Sequence, residues 1–269
     1  HGYEWCIPPD DHHTYANYGI HHPFKLKHLK HEGFVNANNS PQAMFSYENI
    51  QQLNSTPNVR ESGHNFDQEL FDNFEDGSNL DGFCQTEKYF KHIEKEIRED
   101  FEFKDDIIQP CKEFIDQYEK IIFLHVRRGD NVGREDYHPI VSFDYYDRAR
   151  KYFDDDVNIL VCTDDPEWCA EQSYFNDDRF LLNTDVPKYD HLCLEGDGTH
   201  KHSCVPYTDL CLMSLCQGAI LAPSTLGWWG AWLQNGKGPV VAPSKWFGSK
   251  MSHLDLSDLF PDDWSTLDD

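Results

Sequence analysis

The stretch Ile121-Ile122-Phe123-Leu124-His125-Val126-Arg127-Arg128-Gly129-Asp130 decides how this chain is read. A mostly apolar run of six residues reads as a buried strand. It runs directly into two arginines, a glycine and an aspartate. Open α/β sheets bind ligands outside the carboxyl ends of their strands, so the sequence places fixed positive charge at such an edge. Two guanidiniums there suit a diphosphate, because the planar fork pairs bidentately with phosphate oxygens and never loses its charge. The simpler reading is a surface ion pair between Arg128 and Asp130 on an ordinary turn.

Working outward, apolar runs at 121–126, 158–162, 180–182, 219–222 and 239–242 alternate with helical or loop segments. Short buried strands separated by helices predict a right-handed, mostly parallel α/β sheet. This domain is expected to span 119–269. The preceding region, 1–118, reads as smaller and incomplete. Residues 1 to 80 are polar and rich in His, Asn and Pro, and Asp10-Asp11-His12-His13 and His21-His22 read as solvated loops, because adjacent side chains diverge. A helix is expected over Thr86–Phe103, with Tyr89, Ile93, Ile97 and Phe101 every four residues and Thr86 as N-cap. A second amphipathic segment runs from Cys111 to Tyr118.

The chain has 269 residues, with 23 basic against 48 acidic and a net charge of −25. Nucleic acid and anionic membranes are poor partners for such a surface. An anionic small ligand would need a local cationic site. No apolar run is long enough to cross a bilayer and no signal peptide is visible. The chain starts at His1, so loss of an amino-terminal piece is expected, and membrane association would depend on a segment in that piece. Nine cysteines, odd in number and scattered, do not resemble a disulfide framework. Cys162, Cys211 and Cys216 read as small hydrophobes. A reducing, cytoplasmic setting is expected, with a membrane-anchored, Golgi-lumenal one as the alternative if an anchor precedes the chain. The sequons at Asn38 and Asn54 weigh little, each being followed by proline.

Strand ends of such a sheet converge on one crevice. The first carries Arg127 and Arg128, and the second ends in Thr163-Asp164-Asp165-Pro166. The fourth ends in Pro223-Ser224-Thr225-Leu226-Gly227, followed by Trp228-Trp229-Gly230-Ala231-Trp232. Small hydroxyls and a glycine at a helix start form an anion site. Together these ends fit a nucleotide diphosphate, with the arginines and Ser224 on phosphates and an aspartate on a base or ribose donor. The plainer readings are N-capping for Ser224 and Thr225, and core packing for Trp228 and Trp229.

His125 through Asp130, Asp144-Tyr145-Tyr146, Asp209 through Cys216, Ser224 through Leu233, and Ala242-Pro243-Ser244-Lys245-Trp246-Phe247 resemble the α-1,2-fucosyltransferase family, as does Gly82 through Phe90. The match runs in order over about residues 80–250. The resemblance implies an inverting transferase that moves fucose from GDP-fucose to the 2-hydroxyl of a galactose-containing glycan; Thr163-Asp164-Asp165-Pro166 also resembles the broader group of α-1,6 and protein O-fucosyltransferases, whose linkages are the alternative. The α-1,2 resemblance also implies a GT-B-like fold with a Rossmann-like donor domain, and no metal or other cofactor. By position it makes Arg127 the phosphate ligand, with Arg128 and His125 beside it, and Ser224 matches the family's hydroxyl motif. With the strand-end reading, the expected donor-binding residues are His125, Arg127, Arg128, Asp130, Asp164, Asp165, Ser224 and Thr225. The family's glycine-rich amino-terminal segment is absent here, and Thr225-Leu226-Gly227 replaces its usual Ser-Phe-Ser.

Glu135, Asp136 and His138 follow the arginines on a loop and are candidates for a general base at the acceptor hydroxyl, a choice the residues leave open. Each also reads as a solvated loop residue. His191, Cys193, His200, His202 and Cys204 have zinc-ligand chemistry without a standard spacing. A Cys193–Cys204 disulfide or an ordinary loop is open there too. Two other classes compete: a metal-dependent transferase using Asp164-Asp165 or Asp154–Asp156, and a non-catalytic nucleotide- or glycan-binding fragment.

Overall fold

The computed structural model describes residues 20, 23–28, 58–75, 78–185 and 206–269. The sequons, the two amino-terminal histidine pairs and the 191–204 cluster lie outside the described residues. The chain divides into two units, His1–Glu102 with Leu254–Pro261, and Phe103–His253 with Asp262–Asp269.

In the first unit, β1 (Asn58–Arg60) pairs in parallel with β2 (Asn79–Asp81), with helix α1 (Gln68–Asn73) between them in the chain. Asp67 caps α1, accepting from the Leu70 amide at 2.9 Å. The expected 86–103 helix is interrupted. Two 3-10 turns, Glu87–Tyr89 and Lys91–Ile93, precede α2 (Glu94–Asp100). Phe90 and Ile93, at φ −127° and −124°, leave the helical region, and Tyr89 is held instead by a hydrogen bond from its hydroxyl to buried Glu61 at 2.9 Å. Thr86 does cap, but for the first 3-10 turn, accepting from the Lys88 amide.

The second unit begins at Phe103 rather than at 119, because helix α3 (Asp105–Ile115) buries Ile107, Cys111, Phe114 and Ile115 and packs against helix α6 (Pro206–Leu215). Its sheet comprises β3 (Ile121–Val126), β4 (Asn158–Thr163), β5 (Phe180–Leu182), β6 (Ala219–Ile220), β7 (Val240–Pro243) and β8 (Ser265–Leu267). All five pairings are parallel, in the order β5-β4-β3-β6-β7-β8. Counted from β3, this is the 3-2-1-4-5-6 order of doubly wound sheets, whose direction of winding reverses between β3 and β6. Every residue of β3 is buried, as a central strand covered on both faces requires. Each of its isoleucines and leucines contributes about 1.5–3 kcal/mol by leaving water.

Helix α4 (Phe143–Arg150) locks the carboxyl ends of the strands from one face. Tyr145 donates its hydroxyl to the carbonyls of Leu221 (2.9 Å) and Val241 (3.2 Å), and Tyr146 donates to the His125 carbonyl at 3.0 Å. Both rings are buried, and their hydrogen bonds satisfy carbonyls just where the sheet ends. Cys162, Cys211 and Cys216 are buried and free, the small-hydrophobe role expected of them. Among the described residues no helix is long and apolar enough to cross a membrane.

Candidate active site

Register builds the site. Parallel pairing of β3 with β4 puts Val126 opposite Thr163. One step further, Arg127 meets Asp164, and two steps further Arg128 meets Asp165. Arg127 reaches Asp164 with Nη1 and Asp130 with Nη2. The backbone amide of Arg128 donates to Asp164 Oδ1 at 2.9 Å, so one carboxylate holds both arginines. Arg128 Nε donates to Asp165 Oδ2 at 3.1 Å, and its guanidinium lies over the Trp168 ring, 3.8 Å from the centroid. Asp165 also caps helix α5 (Pro166–Glu171), accepting from the Trp168 amide at 3.3 Å. The turn that makes this possible needs glycine: Gly129 sits at φ +20°, and a Cβ there would lie 2.2 Å from Asp164 Oδ2.

This geometry revises one expectation. The ion pair on the turn joins Asp130 to Arg127, not to Arg128. Asp164 and Asp165 are both turned onto guanidiniums and amides. Two cations and three carboxylates form one network, and each guanidinium keeps N–H donors beyond those it spends.

His125 is 3% exposed, and its Nδ1 has no hydrogen-bond partner among the described residues. Burial, reinforced by the neighbouring Arg127 charge, holds the imidazole down to about 3, so it is neutral. It packs against Gly227, where an added Cβ would lie 2.5 Å from Nδ1. Gly227 belongs to helix α7 (Thr225–Trp232), which starts at the end of the β6 segment. Ser224 occupies the N-cap position of α7 but makes no capping hydrogen bond with its side chain. Its half-buried hydroxyl and the exposed Thr225 therefore stand beside helix amides that have no intrahelical acceptor. Trp228 is buried, the packing role, as is Trp232, whereas Trp229 is only half-buried.

The base candidates lie on the segment after the arginines. Glu135 is exposed and accepts from the Gly133 amide at 3.0 Å, which holds its carboxyl below the usual range. Asp136 pairs with Lys250, and exposed His138 faces Phe247 with ring centroids 6.3 Å apart. Asp154 and Asp156 pair with Lys120 at 2.7 and 3.7 Å.

Sequence reading missed Trp168 and Asn183, and it gave Gly227 to the helix-start anion site without its contact with His125. Buried Asn183 donates to the Thr163 carbonyl at 3.1 Å and to Asp209 at 2.9 Å, fixing the end of β4. A polar residue directly after the apolar run 180–182 was the available signal.

Fold and site together define a doubly wound α/β protein with two arginines beside its switch point and an uncapped helix start across from them. The chain belongs to glycosyl transferase family 11, whose family model matches residues 68–268. It is 28% identical to an α-1,2-colitosyltransferase of Escherichia coli over 94% of this chain and 86% of that protein. It is 31% identical to the O-antigen biosynthesis glycosyltransferase WbnK of Escherichia coli, over 62% of this chain and 53% of WbnK. A galactoside α-(1,2)-fucosyltransferase 1 of Plecturocebus brunneus is 27% identical over 58% of this chain, which spans 43% of that relative. Among solved structures, NodZ α-1,6-fucosyltransferase soaked with GDP-fucose aligns with a TM-score of 0.43 at 18% identity, covering 65% of this chain and 58% of NodZ.

Proposed function

We propose that this protein is an inverting glycosyltransferase that moves fucose from GDP-fucose to the 2-hydroxyl of a galactoside, in a GT-B-like fold and without a metal. The observation that carries the reading is the Arg127–Arg128 pair at the switch point of a family 11 chain, opposite the uncapped start of α7. As the bond from the sugar C1 to the diphosphate breaks, its electron pair goes to a phosphate oxygen. Fixed guanidiniums there stabilise the growing charge more in the transition state than in the bound donor, the electrostatic effect that dominates many enzymes. The acceptor hydroxyl bonds to C1 from the opposite face and gives its proton to a base or to solvent. Glu135, Asp136 and His138 are the candidates for that base. Engagement of Asp164 and Asp165 with cations and amides favours this route over one with a metal on those carboxylates.

The relative that matches along most of the chain is named for colitose rather than fucose, so a colitosyl donor is the second reading. Transfer assays with both donors against a panel of galactosides, read by linkage analysis, separate the two. Arg127→Ala is expected to reduce kcat by about a hundredfold or more, by analogy with the loss of one transition-state donor. A near-normal rate in that variant would remove Arg127 from the phosphate.

A further inference from the structure

The segment that bears the base candidates has little hold of its own on the core. It leaves β3 through a turn in which the Arg128 carbonyl accepts from the amides of Asn131 (2.7 Å) and Val132 (3.2 Å). Asn131 and Pro139 are buried, but every residue between them is exposed except Asp136, which is half-buried. Inside the segment the Arg134 carbonyl accepts from the amides of Tyr137 (2.8 Å) and His138 (2.9 Å), which ties it only to itself. Exposed backbone with so little buried surface opens easily. The Glu135 carboxyl is held down by the Gly133 amide first, and the Arg128 charge adds to this, so the segment stands beside the arginines.

Its position is fixed from outside, by the segment of the same unit that follows β7. Buried Trp246 roots that second segment. From it, Gly248 donates its amide to the Tyr137 carbonyl at 2.8 Å, and Lys250 donates its amide to the Asp136 carbonyl at 2.9 Å. The Lys250 side chain pairs with Asp136, and its Nζ lies over the Tyr137 ring, 4.7 Å from the centroid. Gly248 makes the closest approach. A Cβ there would lie 2.3 Å from the carbonyl carbon and oxygen of Asp136 and 2.4 Å from the carbonyl oxygen of Glu135. These are backbone atoms, which cannot swing aside as the end of a long side chain can. The backbone of Gly248 is itself ordinary, at φ −74°, so any residue could adopt it. Glycine is required for space alone, and Glu135 and Asp136 occupy that space.

We infer that Gly248 is a positioning residue for transfer, an inference that rests on the transferase reading above. By seating the backbone of Glu135 and Asp136, it sets where the acceptor of the proton stands relative to Arg127 and Arg128. The arginines are held from another side, by Asp164 and Asp165 at the end of β4. The two halves of the site are therefore set independently, and one can move without the other. Carbon atoms in ordinary contact are about 3.5–4.0 Å apart, so a Cβ at 2.3 Å displaces the segment by more than 1 Å. A misplacement of about 1 Å at a reacting group can cost about a hundredfold in rate.

The test is steady-state transfer with Gly248→Ala, Lys250→Met, Lys250→Arg and, as a control, Tyr152→Ala, an exposed aromatic elsewhere in the unit. Gly248→Ala is expected to lower kcat about tenfold to a hundredfold with the donor KM unchanged. Lys250→Met should lower kcat about threefold to fivefold, the scale of one exposed ion pair and one cation–π contact. Lys250→Arg should restore it, since a guanidinium makes both contacts, and Tyr152→Ala should leave kcat alone. An unchanged kcat in Gly248→Ala overturns the inference, as does a donor KM that rises in parallel. If Gly248→Ala does not fold, the Lys250 variants decide: a loss in Lys250→Met that Lys250→Arg recovers supports the inference, and any other pattern overturns it. If the unaltered protein transfers neither fucose nor colitose to any galactoside, the functional reading fails. The seat is then judged by amide hydrogen exchange at Tyr137, His138 and Lys250 in Lys250→Met and Gly248→Ala. Exchange faster by about tenfold, the equivalent of one lost backbone hydrogen bond, supports it, and unchanged exchange overturns it.

Discussion

Arg127 carries its charge between two carboxylates of unequal standing. Asp164, whose side chain is 26% exposed, also accepts from the Arg128 amide, so it fixes the guanidinium and the backbone together. Asp130 is 64% exposed and lies three residues along the same turn. Exposed pairs of this kind are worth little, because water screens them and two long side chains lose freedom. Orientation is a different matter, since a misplacement of about 1 Å can cost about a hundredfold in rate. Asp164→Asn is therefore expected to lower kcat about tenfold to a hundredfold, and Asp130→Asn by less than about threefold. Steady-state kinetics on the two variants ranks them. Equal losses, or a larger one for Asp130→Asn, would sink the assignment of Asp164 as the residue that positions the arginine.

Between strand and helix, the contact that sets the crevice is His125 of β3 against Gly227 of α7. The imidazole is held down to about 3 by burial first and Arg127 second, against about 6.5 in an unfolded chain. The sign follows: below 6.5 the unfolded state takes up a proton that the folded state refuses, so stability falls with pH from about 6.5 toward about 3. Between pH 7 and 5 this one group is expected to remove about 2 kcal/mol. Urea melts of the protein and of His125→Asn should show their difference in stability shrinking by that amount over the interval, and a constant difference would refute it. This contact was not legible in sequence, because it joins residues about a hundred positions apart through the absence of a β-carbon. The strands were legible for a local reason. Burial on both faces makes β3, β4 and β7 continuous apolar runs, whereas β8, Ser265-Thr266-Leu267, is a half-exposed edge strand with no such run. Arg127 and Arg128 stand out because charge directly after an apolar run is a local pattern. Their carboxylate partners depended on register, which a one-residue slip would have changed. The helix expected over 86–103 failed because its four-residue period continued through Phe90 and Ile93, where tertiary hydrogen bonding at Tyr89 prevailed.

At the scale of the whole molecule, the excess of 48 acidic over 23 basic residues places every local attraction in a repulsive field. Such self-repulsion destabilises the folded state. Salt acts on both sides of this balance. It screens the favourable pairs, but many of those described lie at the surface, as Lys120–Asp154 and Lys95–Glu99 do, and surface pairs have little to lose. The Arg127–Asp164–Arg128 network is partly shielded and responds less. Repulsion among acidic side chains spread over the surface acts at distances comparable to the Debye length, about 10 Å at 0.1 M salt, and is largely relieved above that concentration. Raising NaCl from 20 to 200 mM is therefore expected to increase Tm. A relief of about 1 kcal/mol corresponds to about 2–4 °C for a chain of this size. Tetramethylammonium chloride should act alike, because screening depends on ionic strength and not on a bound sodium ion. A Tm that falls with salt would mean that the ion pairs outweigh the repulsion, and would make the paired carboxylates at the crevice a larger part of folding stability than their exposure suggests.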